Sequence, residues 1–397
     1  MTSTVPAAPV RDRWGLLAVL SGNMLIDALE VSVAIVALPA IGHDLRVDDA
    51  VAQWVVGGFA LGFGGLLVAG RRAVARWGER RVYLVALLVF AVVSAVGAAA
   101  TSIAVLVLAR VVKGACVALT APTGLAVIGR AFPEGEARNR AISVYSSFGA
   151  CGFSAGLLLS GLVTQVDWRW TFLFPAPVAL VLFLFGVRLI PGRAGDTSVP
   201  AGGRGLPVSR GLLRSALGAA ALNGSFWGLL VTCTFRLQDG LGWTPLQAGV
   251  ALLPASLPVA LTAPFSGRLV GRFGTRGPIA LGAALLPIGY LSVWRFRGDR
   301  PDLLTEYAVG VLPALLIVGG GFALCFSALH MQALSGLRAA EHGMATALYQ
   351  SAVQLGGVLV LALVTVPAFS PLGVVTAVGL LGFLVALTGI IAERRTL

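Results

Sequence analysis

Two carboxylates three residues apart stand near the middle of the first long apolar stretch. They are Asp27 and Glu30, within WGLLAVLSGNMLIDALEVSVAIVALPAI at residues 14–41. A carboxylate at mid-bilayer costs roughly 2.5–3.5 kcal/mol. Three residues along a helix place the pair on one face, about 60° apart. Such a face cannot lie against lipid and needs a water-filled cavity or cations within the protein. Intramembrane acids of this kind are candidates for a proton or ion site. A later apolar run, residues 103–129, supplies two cations, Arg110 and Lys113, again three apart and on one face. Arg110 stands seven residues from the outer end of its run, and Glu30 stands nine before Pro39. At roughly 1.5 Å per residue the depths match within a few ångströms. In the functional reading Glu30, with Asp27, carries a proton. Arg110 is then the permanent counter-charge that competes with it, and Lys113, which can lose its charge on burial, joins the relay. In the bland reading the four form a static ion-pair cluster locking two helices together.

The elements that hold these residues must span a membrane. The chain has 397 residues, 57% hydrophobic and 12% charged, against roughly 25% charged in a soluble domain. Apolar windows of about 20 residues recur from end to end, each long enough for roughly 30 Å of hydrocarbon. A barrel would show short alternating segments instead. The expectation is an all-α polytopic membrane protein with twelve transmembrane helices. The spans fall at about 14–41, 51–70, 82–100, 103–129, 141–164, 170–190, 212–236, 246–266, 278–296, 304–332, 342–367 and 371–391. The first run is too long for the apolar core of a cleaved signal and should stay in the protein.

Charge fixes the expected orientation. With the N-terminus inside, inner segments hold 21 arginines and outer segments 6, which places both termini in the cytoplasm of a plasma membrane. Trp54, Trp168, Trp170, Trp243 and Trp294 fall at outer ends, as an interfacial belt would. His43, His330 and His342 fall near membrane ends and are expected to be solvated. The net charge of +12 lies in short loops, so nucleic acid is not an expected partner. Cys116, Cys151, Cys233 and Cys325 show no metal spacing, and no metal is expected. No phosphate-binding loop and no nucleophile–base pair stand out, so neither ATP hydrolysis nor enzyme activity is expected.

Residues 191–211, rich in Gly, Pro and Arg, read as a cytoplasmic linker. It separates an N-terminal six-helix half, 1–190, from a C-terminal one, 212–397. The halves echo each other: Arg76-Trp77-Gly78-Glu79-Arg80 and Arg272-Phe273-Gly274-Thr275-Arg276 occupy equivalent loops. Parallel six-helix halves are a known transporter architecture.

Several stretches together resemble the major facilitator superfamily, most closely its drug/proton antiporter branch. They are LEVSVAIVALP at the end of the first helix, Gln53-Trp54-Val55-Val56 opening the second, and Arg110-Val111-Val112-Lys113-Gly114 in the fourth. Trp168-Arg169-Trp170-Thr171-Phe172 and the run Leu237 to Gly249 add to them. The similarity covers essentially the whole chain, although the helix pair that lengthens the fourteen-helix group is absent. Glu30 stands where that branch usually has Asp, and Lys113 where it has Gln. The fifth-helix motif has lost its proline and has Ser160 for a glycine. The resemblance implies the major facilitator fold and a proton-coupled exporter of small amphipathic compounds. It implies no cofactor beyond the proton gradient, with a small-molecule substrate and the bilayer as partners and a monomer as the working unit. Uptake or uniport by the same fold, and a non-transporting sensor, are the alternatives.

Further candidates follow from position. Asn223, Phe226 and Trp227 lie on the seventh helix, which in this superfamily faces the central cavity. Tyr349, Gln350 and Gln354 on the eleventh could add polar contacts to a substrate; for both sets ordinary helix packing is the competing reading. Gly149, Gly152 and Gly156 form a stripe on the fifth helix, with Gly161 off it. Here a bending interface that gates the protein competes with plain tight packing. The loop residues Arg76, Gly78, Arg272 and Gly274 are gating candidates from the motif they resemble.

Overall fold

The computed structural model describes residues 10–133, 135–191, 209–262, 265–294, 303–366 and 368–394. Among them, twelve helices are long and apolar enough to cross a bilayer. They are α1 (Arg13–Leu45), α2 (Asp49–Trp77), α3 (Glu79–Ala98), α4 (Ile103–Ala131), α5 (Glu136–Thr164) and α6 (Arg169–Leu189), then α7 (Arg210–Gly240), α8 (Pro245–Thr262), α9 (Arg276–Val293), α10 (Leu304–Leu334), α11 (Glu341–Val364) and α12 (Pro371–Thr388). Helices overrun the apolar windows at the inner side, the side bearing the termini. α2 continues through Arg71, Arg72 and Arg76 to Trp77, because arginine is a good helix former whether or not hydrocarbon surrounds it. Most of the linker at 191–211 lies outside the described residues.

The packing repeats. α1 lies along α5 and α2 along α4, as α7 lies along α11 and α8 along α10. α5 meets α8, and α11 meets α2. Exchanging α1 with α7, α2 with α8, α4 with α10 and α5 with α11 reproduces the same set of contacts. Close approaches repeat too. Gly114 of α4 presses on the backbone of Phe59 in α2, and Gly319 of α10 presses on that of Ala255 in α8. Small residues at such crossings let backbones touch, which is how helices associate where no hydrophobic force drives them together. The echoing loops share a turn geometry: Gly78 has φ 79° and Gly274 has φ 68°, a region that L side chains adopt only with strain.

Toward the outer side the first and second six helices are joined by side-chain and backbone contacts. α7 ends in a π-helical turn, Arg236–Gly240, a local widening that re-aims side chains. From it Gln238 Nε2 donates to the Val36 carbonyl at 2.9 Å, and Asp239 Oδ1 lies 3.3 Å from His43 Nε2. Gly161 of α5 abuts the backbone of Pro245 and Leu246 at the start of α8. Deeper, Ser154 Oγ donates to Ser256 Oγ at 2.8 Å. Toward the inner side Ile142 and Phe148 of α5 and Leu257 and Leu261 of α8 are exposed.

Two sequence expectations are corrected. Trp168 is not in an interfacial belt: it is buried, and its Nε1 donates to Asp44 Oδ2 at 3.1 Å. His330 is half-buried and not freely solvated: it stacks on Tyr349 with ring centroids 5.0 Å apart. In both cases an aromatic or amphipathic side chain found a partner on a neighbouring helix, which position along its own helix does not reveal.

Candidate functional site

Glu30, Arg110 and Lys113 meet at the α1–α4 contact, each 0% exposed. Arg110 Nη1 donates to Glu30 Oε2 at 2.5 Å. Lys113 Nζ donates to Glu30 Oε1, also at 2.5 Å. Each carboxylate oxygen therefore has its own cation. Arg110 also donates to backbone: Nη2 to the Glu30 carbonyl at 2.8 Å and Nε to the Val55 carbonyl at 2.9 Å. Aromatic faces close the site. The Arg110 guanidinium lies 4.4 Å from the Phe59 ring centre, and Lys113 Nζ lies 4.8 Å from that of Phe90. Phe172 stands within 6 Å of both cations, at 5.9 and 5.7 Å. Gly114 makes this possible, since its lack of a side chain lets α4 sit on the Phe59 backbone and brings Arg110 over that ring.

Asp27 does not join the cluster, which corrects the expectation of two acids and two bases sharing one solvated crevice. Its Oδ2 accepts from Asn23 Nδ2 and from Thr120 Oγ1, each at 2.9 Å. It is 4% exposed, so neither acid looks into water here. The two carboxylates share a helix face but differ by about 60° and about 4.5 Å of rise. That offset lets Glu30 reach Arg110 and Lys113, while Asp27 meets α4 further inward at Thr120.

The seventh- and eleventh-helix candidates fall into separate roles. Asn223 Nδ2 donates to the Val353 carbonyl at 3.0 Å, tying α7 to α11. Trp227 packs on Gly357 of α11. Phe226 instead faces Phe322 of α10, at 4.6 Å, and Phe153 of α5, at 6.0 Å. Tyr349 Oη donates to the Phe326 carbonyl at 3.4 Å. Gln354 is buried near Gly64 of α2 with its Oε1 unpartnered, and Gln350 is half-buried. Only Phe226 and Gln354 of the six touch the opposite set of helices in these contacts.

The glycine stripe also divides. Gly149, Gly152 and Gly156 face Met24, Leu25, Ala28, Leu29 and Ser32 of α1, so the stripe packs α5 within its own six helices. Ser32 Oγ, beside Gly156, donates to the Phe153 carbonyl at 2.7 Å and strengthens that contact. Gly161, five residues on and about 140° around the axis, is the glycine of this set that faces α8. Among the loop candidates, Gly78 and Gly274 form the turns, Arg76 is exposed and Arg272 lies over its neighbour Phe273. An ionic tie at that end is Glu79 with Arg130, between α3 and α4.

Sequence reasoning missed Phe59, Phe90, Phe172 and Thr120. Phe172 carried a faint signal, since it closes the Trp168-Arg169-Trp170-Thr171-Phe172 run. Thr120 lies seven residues, two turns, beyond Lys113 on α4, so its face was readable once the helix was placed.

Comparisons with known proteins bear on the family and the fold. A family model described as Major Facilitator Superfamily matches residues 20–361. The puromycin resistance protein pur8 of Streptomyces alboniger is 32% identical, covering 88% of this chain and 80% of that protein. The tetracenomycin C resistance and export protein of Streptomyces glaucescens is 30% identical over 89% and 76%. A crystal structure of the nucleoside transporter NupG, a D323A mutant, superposes with a TM-score of 0.68 at 13% identity, covering 97% of this chain and 99% of that one. At that identity it bears on the fold alone.

Proposed function

The chain belongs to the Major Facilitator Superfamily, and from that premise we propose that it exports small amphipathic organic compounds against their gradient, driven by protons. The observation that carries this reading is the enclosed charge set on α1 and α4: two acids and two bases are kept at mid-span, where each is costly unless it has work to do. The names of the relatives, a resistance protein and an export protein, support efflux over uptake. A membrane potential supplies about 2.3 kcal/mol per charge per 100 mV, roughly 50-fold in concentration for one proton. The arginine asymmetry between inner and outer segments supports cytoplasmic termini and a plasma-membrane location. The protein would act as a monomer, with the bilayer and its substrate as partners and no cofactor.

Alternating access would proceed by parting the outer contacts and closing the inner ones. Phe226, facing both Phe153 and Phe322, is the side chain best placed to meet substrate as the helices separate. Puromycin and tetracenomycin C are the first compounds to try. In inside-out vesicles they should accumulate when the lumen is made acidic, and an uncoupler should abolish the accumulation. Flux indifferent to the pH gradient would mean uniport, and flux in the opposite direction would mean uptake; either removes the proposal.

The α5–α8 seam gives a separate test. In a background lacking the four native cysteines, Ser154→Cys with Ser256→Cys should form a disulfide on mild oxidation. Export should fall to background and return on reduction. Full export by the cross-linked protein would show that this seam does not open.

A further inference from the structure

We propose that the exchangeable proton rides on Asp27, held by Asn23 and Thr120 with the Tyr83 hydroxyl within electrostatic reach, while Glu30 stays ionised as a fixed anion between Arg110 and Lys113. This rests on the proton-coupled reading above and assigns the carrier within it. Protonating Glu30 would strip two enclosed cations of their shared counter-charge, and uncompensated buried charge is the costliest state a site can adopt. Asp27 has no such obligation, because its hydrogen-bond partners are neutral. Both bonds fall on Oδ2, and Oδ1 accepts none among the described residues. Tyr83 of α3 is 1% exposed, its Oη has no partner, and it lies within electrostatic reach of Asp27. Hydroxyls of Thr120 and Tyr83 can donate to a carboxylate or accept from a carboxylic acid. The Thr120 bond can thus persist in both protonation states, and the unpartnered Tyr83 hydroxyl is a further donor or acceptor within electrostatic reach.

The other groups facing Asp27 are Glu30 on its own helix, Cys116 on α4 and Tyr145 on α5. Tyr145 Oη is committed to the Ala121 carbonyl at 3.0 Å. Asp27 lies three residues inward of Glu30, about 4.5 Å closer to the side bearing the termini. The step is simple: one proton from water adds to a carboxylate oxygen, no other bond changes, and the same proton later leaves to water.

The test is infrared difference spectroscopy on the purified full chain in lipid, stepping pH through the neutral range with no substrate present. The wild type should show the carbonyl band of a protonated carboxyl appearing as pH falls. Asp27→Asn should lose that band, and Glu30→Gln should keep it. Thr120→Val and Tyr83→Phe, which leave the carboxyl in place, should shift the pH at which it appears, an effect that packing loss would not produce. A band lost in Glu30→Gln but kept in Asp27→Asn overturns the assignment, as does its absence in the wild type. Because no substrate is involved, failure of this assignment is separate from failure of gradient-driven export in vesicles.

Discussion

Arg110→Gln should abolish export and destabilise the fold by roughly 3–5 kcal/mol, the usual cost of removing one partner from a buried ion pair. Three hydrogen bonds go at once, including those to the Glu30 and Val55 carbonyls. The contact with the Phe59 ring also goes, and a desolvated cation–π pair is worth about 2 kcal/mol or more. Arg110→Lys should fail as well, since an ammonium cannot span a carboxylate and two carbonyls with fixed fork geometry. Thermal unfolding in detergent, followed by tryptophan fluorescence, reads the stability, and vesicle uptake reads the export. The informative variant removes every charge of the cluster: Glu30→Gln, Arg110→Gln and Lys113→Met together. With no buried charge left unpaired it should be more stable than Arg110→Gln alone, yet transport nothing. Uphill export by that triple variant would reduce the cluster to helix packing.

Gly114→Leu should stop the protein from accumulating in a folded form. A side chain at Gly114 would strike the Phe59 carbonyl and the Phe63 amide of α2. These are backbone atoms of a helix already pinned to α4, so nothing flexible can yield. Overpacked cores lose typically 1–3 kcal/mol, and a clash against helical backbone should fall at or beyond the upper end. The same shift would lift Arg110 off Phe59 and lengthen its bond to Val55. Gly65→Leu is the control, because nothing lies within 4 Å of its added carbon. Size-exclusion profiles of fluorescent fusions should show a lost monodisperse peak for Gly114→Leu and an unchanged one for Gly65→Leu. Equal profiles would show that the α2–α4 crossing tolerates widening.

Much of this architecture was readable before any coordinate. Every expected span has its helix, because a run of about 20 apolar residues is a local property that the bilayer alone interprets. The meeting of Glu30 with Arg110 and Lys113 was also legible, since matched depths on two helices leave buried opposite charges little choice. The fate of Asp27 was not. It depends on a rotation of about 60° and on Thr120, a neutral residue that no charge pattern singles out. The glycine stripe was seen, but which neighbour it faced was not. Tight packing on α1 and gating on α8 require the same small residues and differ only in which way α5 is turned.

What the amino-acid sequence determined by itself is that this is a membrane protein of twelve spans, with acids on the first helix and bases on the fourth. Tertiary structure alone decided that Glu30 is held by two cations, themselves flanked by three aromatic rings, that Asp27 is left with neutral partners, and that Gly161 touches the opposite set of helices. The physical reason is range. Hydropathy and helical period act over a few turns of one chain segment, whereas the partner of Glu30 lies 80 residues away and is selected by how whole helices rotate and pack.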